Sequence, residues 1–244
     1  MLKNDKKLQD EWQYWEKSYE RLISTQEELV TWLKSEVMYI SGSIYRATGK
    51  KPSTEDKVLQ IGAGPVDVID FWDSEDKYAI DPLAEEYKEK FNEFQDHRVD
   101  YVVGIGEDLP YEYNYFDIVI IRNALDHVYN PYKTLCEVHR VLKPKGVLYI
   151  WVYLYTWRSS VARRLINALT KRHEAEPLAF TWGRITRLLK KVRFESLYPA
   201  REKRPCKKHK NPSSSTWQNL KELLKKMLGL ELSEGFICVA KPFK

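Results

Sequence analysis

Residues 58–70 read VLQIGAGPVDVID, an apolar run that breaks at a Gly-Ala-Gly corner and resumes with a different period. Glycines at the carboxyl end of a first parallel strand let a ligand approach the backbone closely. A helix start behind them offers N–H groups to a negative group. A dinucleotide site calls for Gly-x-Gly-x-x-Gly, and the third glycine position here is Asp67, an acid that would repel a pyrophosphate. Asp81, in YAIDP, supplies a carboxylate able to accept both hydroxyls of an adenosine ribose. Together these residues point to an adenosine-containing ligand other than NAD. Taken alone, the corner reads equally as an ordinary tight turn and helix cap.

The elements that must position these residues follow from pattern. Val-, Ile- and Tyr-rich segments at 57–61, 77–81, 99–103, 116–121 and 146–154 alternate with helical spacings such as LAEEYKEKFNEF and NPYKTLCEVHRVL. Strand and helix in alternation predict a parallel sheet covered on both faces. Residues 5–48 predict two helices, the first carrying Trp12, Trp15 and Tyr19 at spacings of three and four, a packing stripe. Beyond residue 155, SSVARRLINALTKR and FTWGRITRLLKK read as helices, RFESLY as a short strand, 199–215 as an exposed basic loop, STWQNLKELLKKML as a helix and GFICVAKPF as the final strand. One domain of 244 residues is expected: a helical extension over 1–50, a ligand-binding core over 57–154, and acceptor-side helices, basic loop and closing strands over 155–244.

Composition narrows the partners. The longest apolar stretch, VLYIWVYLYTW, is well short of the roughly 20 residues that cross a bilayer, and the charged start MLKNDKKLQDEW shows no secretory leader. The expected compartment is the cytoplasm. Cys136, Cys206 and Cys238 form no paired motif and no histidine cluster accompanies them, so no metal site is expected. Residues 1–154 carry 19 Lys and Arg against 28 Asp and Glu, whereas 155–244 carry 21 against 7. The basic end, with clusters at Arg158–Arg172 and Arg201–Lys210, is suited to anionic partners: a phosphorylated acceptor, a membrane surface touched peripherally, or nucleic acid. A merely solvated basic surface is the plainer alternative.

GEDLPYEYNYFDIVIIRNALDHVYNPYKTLCEVHRVLKPKGVLYIWV, residues 106–152, resembles the core of class I S-adenosylmethionine-dependent methyltransferases of the small-molecule and glycan type. The likeness joins the EDLP turn, Phe116-Asp117 at a strand start, Leu125 to Val128, the Asn-Pro helix entry and RVLKPKG, with IGAGP and Asp81 ahead of them. It implies a Rossmann-like seven-stranded sheet, mostly parallel with the last strand antiparallel, and S-adenosylmethionine as cofactor. Carried over position by position, it places the methionine part of the cofactor over Gly62, Ala63 and Gly64, the ribose at Asp81 beside Pro82, and the adenine in the loop Gly106, Glu107, Asp108 and Leu109. Arg122 and Asn123 should face the methionine end. Gln60 stands where the family usually has an acid, and Val66 where a further glycine is common. The glutamine could still accept a hydrogen bond from the cofactor's amino group, without charge assistance.

Methyl transfer needs acceptor and methyl held in line, and a hydroxyl acceptor is helped by a nearby base. His127, beside Asp126 after the fourth strand, is the candidate base; packing of a helix start is its other reading. The expected reaction is methyl transfer to a small-molecule or saccharide hydroxyl, on a lipid- or nucleotide-linked glycan where the acceptor is anionic. Two alternatives stay open: an RNA methyltransferase, and a non-catalytic cofactor-binding regulator.

Overall fold

In a computed structural model, residues 5–156, 178–202 and 232–242 are described. Two helices lead, α1 (Lys6–Ser24) and α2 (Gln26–Thr48). Asp5 starts the first, its Oδ1 accepting from the amides of Lys7 at 2.9 Å and Leu8 at 3.3 Å. Gly49, at φ 74°, ends the second in the left-handed region. There follow β1 (Val58–Ile61), β2 (Lys77–Asp81), α3 (Ala84–Phe91), β3 (Val99–Val103), β4 (Phe116–Arg122), α4 (Pro131–Val141), β5 (Leu142–Tyr155), α5 (Trp182–Lys191), β6 (Phe194–Glu202) and β7 (Leu232–Pro242).

The strands form one sheet in the order β3-β2-β1-β4-β5-β7-β6. Pairings among β1 to β5 are parallel, and β7 runs antiparallel to both β5 and β6. The chain first winds outward from β1 through β2 to β3, then returns to lay β4 on the other side of β1. That reversal opens a crevice at the carboxyl ends of β1 and β4, where an open α/β sheet takes its ligand.

Burial on both faces explains why the inner strands read as unbroken apolar runs. Side chains alternate along β4: Ile118 and Ile120 meet Leu33, Ile40 and Ile44 of α2, while Val119 and Ile121 join Leu135 and Val138 of α4 and Ile185 and Leu189 of α5. The α1 aromatic stripe divides its work. Trp12 lies 6.1 Å from Tyr87, and Tyr19 lies 5.3 Å from Phe91, both on α3. Trp15 packs against the same cluster as Trp12 and Tyr19 and also lines the crevice.

The bounds of the last three strands differ from expectation, β7 opening at Leu232 rather than at 235. The fifth strand spans 142–155 rather than 146–154. β6 continues to Glu202 where a loop was expected from 199, because Pro199 to Glu202 pair with Cys238 to Gly235 of β7. Pro199 is tolerated there because β6 is an edge strand and needs no donor on its outer side. The helices expected at 159–172 and 215–228, and the loop over 203–215, lie outside the described residues.

The corner after β1 is held by a buried polar chain. Gly62 and Gly64 have φ of 69° and 60°, and a Cβ on Gly62 would stand 2.4 Å from the Ala124 Cβ. Gln60 is fully buried; its Oε1 accepts from the Ile69 amide at 3.0 Å and its Nε2 donates to Asp67 Oδ2 at 2.6 Å. Asp67 Oδ1 accepts from Arg122 Nη1 at 2.6 Å, Arg122 Nε lies 3.6 Å from Glu36 of α2, and the guanidinium sits 4.8 Å from the Trp32 ring centre. An acid at 60 would set two carboxylates in contact. Gln60→Glu should therefore lower the unfolding free energy by about 1–3 kcal/mol near neutral pH. One carboxyl of the new pair then has a raised folded pKa, so the deficit should shrink as pH falls through that value. Urea unfolding at about pH 7.5 and about pH 5 checks this. An equal deficit at both would exclude the charge as its cause.

Candidate functional site

At the carboxyl edge of the parallel strands lies a cavity of about 1240 Å³. Its floor is backbone-rich: Gly62 to Gly64 after β1, Asp81 and Pro82 after β2, Gly104 to Glu107 after β3, and Arg122 to Ala124 after β4. Its wall is the segment His127 to Tyr129, with Trp151 and Tyr153 from β5 on the far side. The roof comes from the leading helices: Lys7, Glu11 and Trp15 of α1, and Trp32, Glu36 and Tyr39 of α2.

Asp81 is almost fully buried at the end of β2. Its Oδ2 accepts from the Gly64 amide at 3.0 Å and its Oδ1 from the Leu83 amide at 2.9 Å. Burial outweighs these bonds and pushes its pKa up to about 6. Each oxygen keeps a lone pair toward a ligand hydroxyl. Glu107, also buried, accepts from the Asn130 amide at 2.7 Å through Oε1, which joins the loop after β3 to the start of α4. Asn123 adopts φ of 51°, a left-handed step that asparagine tolerates, and its amide donates to the Trp151 carbonyl at 2.8 Å. The chain thus turns sharply off β4 beside the glycine corner.

His127 is 36% exposed at its side chain, with Nε2 3.9 Å from Asp126 Oδ2 and Nδ1 4.0 Å from Glu11 Oε2. Those are ion-pair rather than hydrogen-bond distances. Its own amide donates to the Ala124 carbonyl at 2.9 Å, and its carbonyl accepts from the Lys7 ammonium of the roof. The same end of α1 is tied down again where the Tyr129 hydroxyl donates to Asp5. Burial lowers the pKa of Lys7, against the opposing pull of Glu107, Asp5 and Glu11.

Ten of the expected site residues line this cavity: Gly62, Ala63, Gly64, Asp81, Pro82, Gly106, Glu107, Arg122, Asn123 and His127. Four do not. Gln60 is a correction, since both ends of its amide are committed inside the protein and it leaves the cavity lining to Asp67. Asp108 is exposed, as the loop turns back on itself with the Asp108 amide on the Ile105 carbonyl at 3.2 Å and only Glu107 facing inward. Leu109 packs in the core, its amide donating to Glu137 Oε2 at 3.0 Å. Asp126 is buried behind His127 and its carbonyl accepts from Leu178 at 2.6 Å.

The roof residues are the ones that sequence reasoning missed. Glu36, an acid on an otherwise apolar face of α2, was the available signal. Six acids line the cavity (Glu11, Glu28, Glu36, Asp67, Asp81 and Glu107) against three cations (Lys7, Arg21 and Arg122). A site so lined suits a ligand with positive charge, and a sulfonium with an α-ammonium group is one. Among the described residues no group of three or more His, Cys, Asp and Glu could hold a metal ion, and no helix is long and apolar enough to cross a membrane.

Comparison with known proteins agrees with this geometry. Residues 59–150 match the methyltransferase domain family. No curated protein matches the chain significantly. Among solved structures, the YcgJ protein of Bacillus subtilis is similar with a TM-score of 0.59 at 16% identity, covering 83% of this chain and 99% of that one. An S-adenosylmethionine-dependent methyltransferase from Methanosarcina mazei is similar with a TM-score of 0.56 at 20% identity, covering 79% and 94%. The [4+2]-cyclase SpnF, at TM-score 0.54 and 16% identity over 84% and 81%, carries the same fold, so fold alone does not name the acceptor chemistry. Over residues 59–150 the chain is thus similar to the methyltransferase domain family, and its fold is shared with a solved S-adenosylmethionine-dependent methyltransferase.

Proposed function

We propose that the protein methylates a hydroxyl of a small-molecule or saccharide acceptor. The observation that carries this reading is the single cavity that brings Asp81 and the glycine corner together with His127, under a roof of aromatic side chains. The residues present fit the cofactor. The corner at Gly62 to Gly64 is free of side chains at its glycines, Asp81 offers a carboxylate for two ribose hydroxyls, and Glu107 keeps Oε2 for an exocyclic amine. Gly106 stays small because a Cβ there would meet Thr134 at 2.8 Å.

Bound S-adenosylmethionine supplies an electrophilic methyl group on a sulfonium. This chain's part is to hold an acceptor in line with it, exclude water and take a proton. Trp32, Trp151 and Tyr153 offer flat apolar faces on which a sugar ring can stack, and the roof shields the reacting centre. His127 is the group placed to accept the hydroxyl proton, with carboxylates of Asp126 and Glu11 facing its two nitrogens. Incubation with methyl-labelled cofactor and fractionated polysaccharide, lipid extract and RNA tests the acceptor class. Label confined to RNA would overturn the hydroxyl-small-molecule reading.

Two outcomes follow for the site. Asp81 must be ionised to accept both ribose hydroxyls, and its carboxyl titrates near 6. Cofactor affinity measured by calorimetry should therefore fall as pH drops below about 6. Asp81→Ala should bind less tightly by about 1–3 kcal/mol and lose this pH dependence. The raised pKa acts on the ligand-free fold in the opposite sense: its stabilising contribution is full below the unfolded value of 3.8 and is lost as pH rises through about 6. Affinity unchanged in the variant would remove Asp81 from the site. His127→Ala should lower kcat by roughly 10²–10⁴-fold with cofactor affinity little altered, and near-normal turnover would leave it a structural residue.

A further inference from the structure

A second, smaller groove of about 290 Å³ lies between the start of α4 and α5. Helix α5, WGRITRLLKK, contains no acid; Ile185 and Leu189 turn inward, while Arg184, Arg187 and Lys191 recur at the spacing that shares one face and line the groove. No acid lines it. Arg187 and Lys191 are exposed and make no ion pair among the described residues. Two aromatic rings position the cations: Lys191 Nζ is 4.4 Å from the Tyr132 ring centre, and the Arg184 guanidinium is 5.5 Å from that of Phe180. The groove also meets the positive end of α4, an 11-residue helix. Asn130 already accepts from the amides of Tyr132 and Lys133, so an anion there would be held by side chains, with the helix dipole in support.

The groove adjoins the methyltransferase cavity. Tyr129 lines the cavity and Asn130 lines the groove, and the Asn130 amide is the donor to Glu107. Leu178, leading into α5, donates to the Asp126 carbonyl immediately before His127. Among the described residues charge is therefore graded over a short span: six carboxylates against three cations inside, and three cations without an acid just outside. A phosphate would be repelled within the cavity and held outside it, where guanidinium groups bind phosphate oxygens in pairs.

We propose that the α4–α5 groove is a subsite for a phosphate or diphosphate group carried by the methyl acceptor. The proposal rests on the methyltransferase reading for its link to the acceptor, while binding at the groove can be measured without it. Calorimetry on the full chain with inorganic pyrophosphate should show saturable binding, weakened about tenfold or more in the double variant Arg187→Gln, Lys191→Gln. Both positions are exposed, so the variant should unfold at the same temperature as the parent and bind S-adenosylmethionine equally well. Vesicles containing phosphatidylglycerol distinguish the source: binding that pyrophosphate displaces marks a lipid-borne group, and pyrophosphate binding without vesicle binding marks a soluble one. Absent pyrophosphate binding, or equal binding by parent and variant, would overturn the subsite. So would variant-sensitive binding to RNA with a steep log-linear salt dependence and no pyrophosphate site, which would make the face a nucleic-acid surface. Loss of S-adenosylmethionine binding by the parent would fail the methyltransferase reading alone and leave the groove measurement standing.

Discussion

The buried pair of Arg122 with Asp67 is the contact on which the site depends. It joins the end of β4 to the turn that follows the glycine corner, at 2.6 Å, and it extends at one end to Gln60 on β1 and at the other to Glu36 on α2. Three regions distant in sequence, α2, the β1 corner and the end of β4, are thus registered by one polar chain. Breaking a buried pair by removing one partner commonly costs about 3–5 kcal/mol, because the remaining charge is stranded. Arg122 is held cationic against that burial by its two carboxylates. The same pair resolves why an acid at 67 is tolerated beside a ligand turn: its charge is spent on the protein.

Glutamine at 60 then has a local cause. Its Nε2 must donate to Asp67 while its Oε1 receives the Ile69 amide, a pattern only an amide side chain completes. Carboxylates stand instead at Asp67, in the turn after the glycine corner, and at Glu36 on the roof helix. With Asp67 and Glu36 paired to Arg122, the cavity remains acidic through Asp81 and Glu107. A cationic donor molecule is therefore met by negative charge although the strand-end acid is absent.

The sheet was legible in the sequence because parallel strands buried on two faces leave continuous apolar runs, and β1 through β4 appear within a residue of where VLQI, KYAID, VDYVV and FDIVIIR suggested. β6 was cut short because Pro199 and the charged residues after it read as a loop; only pairing with β7 shows that an edge strand accepts them. The floor of the site was legible for a similar reason, since glycines and strand-end acids carry position in their type. The roof was not. Trp15 shares its spacing with Trp12 and Tyr19 and packs with them, and nothing local tells that it also faces a cavity. Glu107 and Asp108 are adjacent acids on a tight loop, and only the fold decides that one turns in and the other out.

Roof and wall are joined by contacts at His127 and Tyr129, and that limits how the site can open. His127 faces the cavity with its imidazole while its carbonyl is held by Lys7, and Tyr129 two residues on is held by Asp5, the cap of α1. Swinging the start of α1 aside would break both contacts together and release the backbone on either side of Val128. The other end of α1 is fixed differently, by Tyr19 against Phe91 and Phe94 of the α3 region. Apolar packing of that kind is lost only when the rings are uncovered, whereas the two polar contacts can exchange with water at modest net cost. The start of α1, which also buries Leu8 in the same apolar cluster, is the end that touches the candidate base. A closed roof and a correctly set His127 backbone are consequently one condition, reached when Lys7 docks.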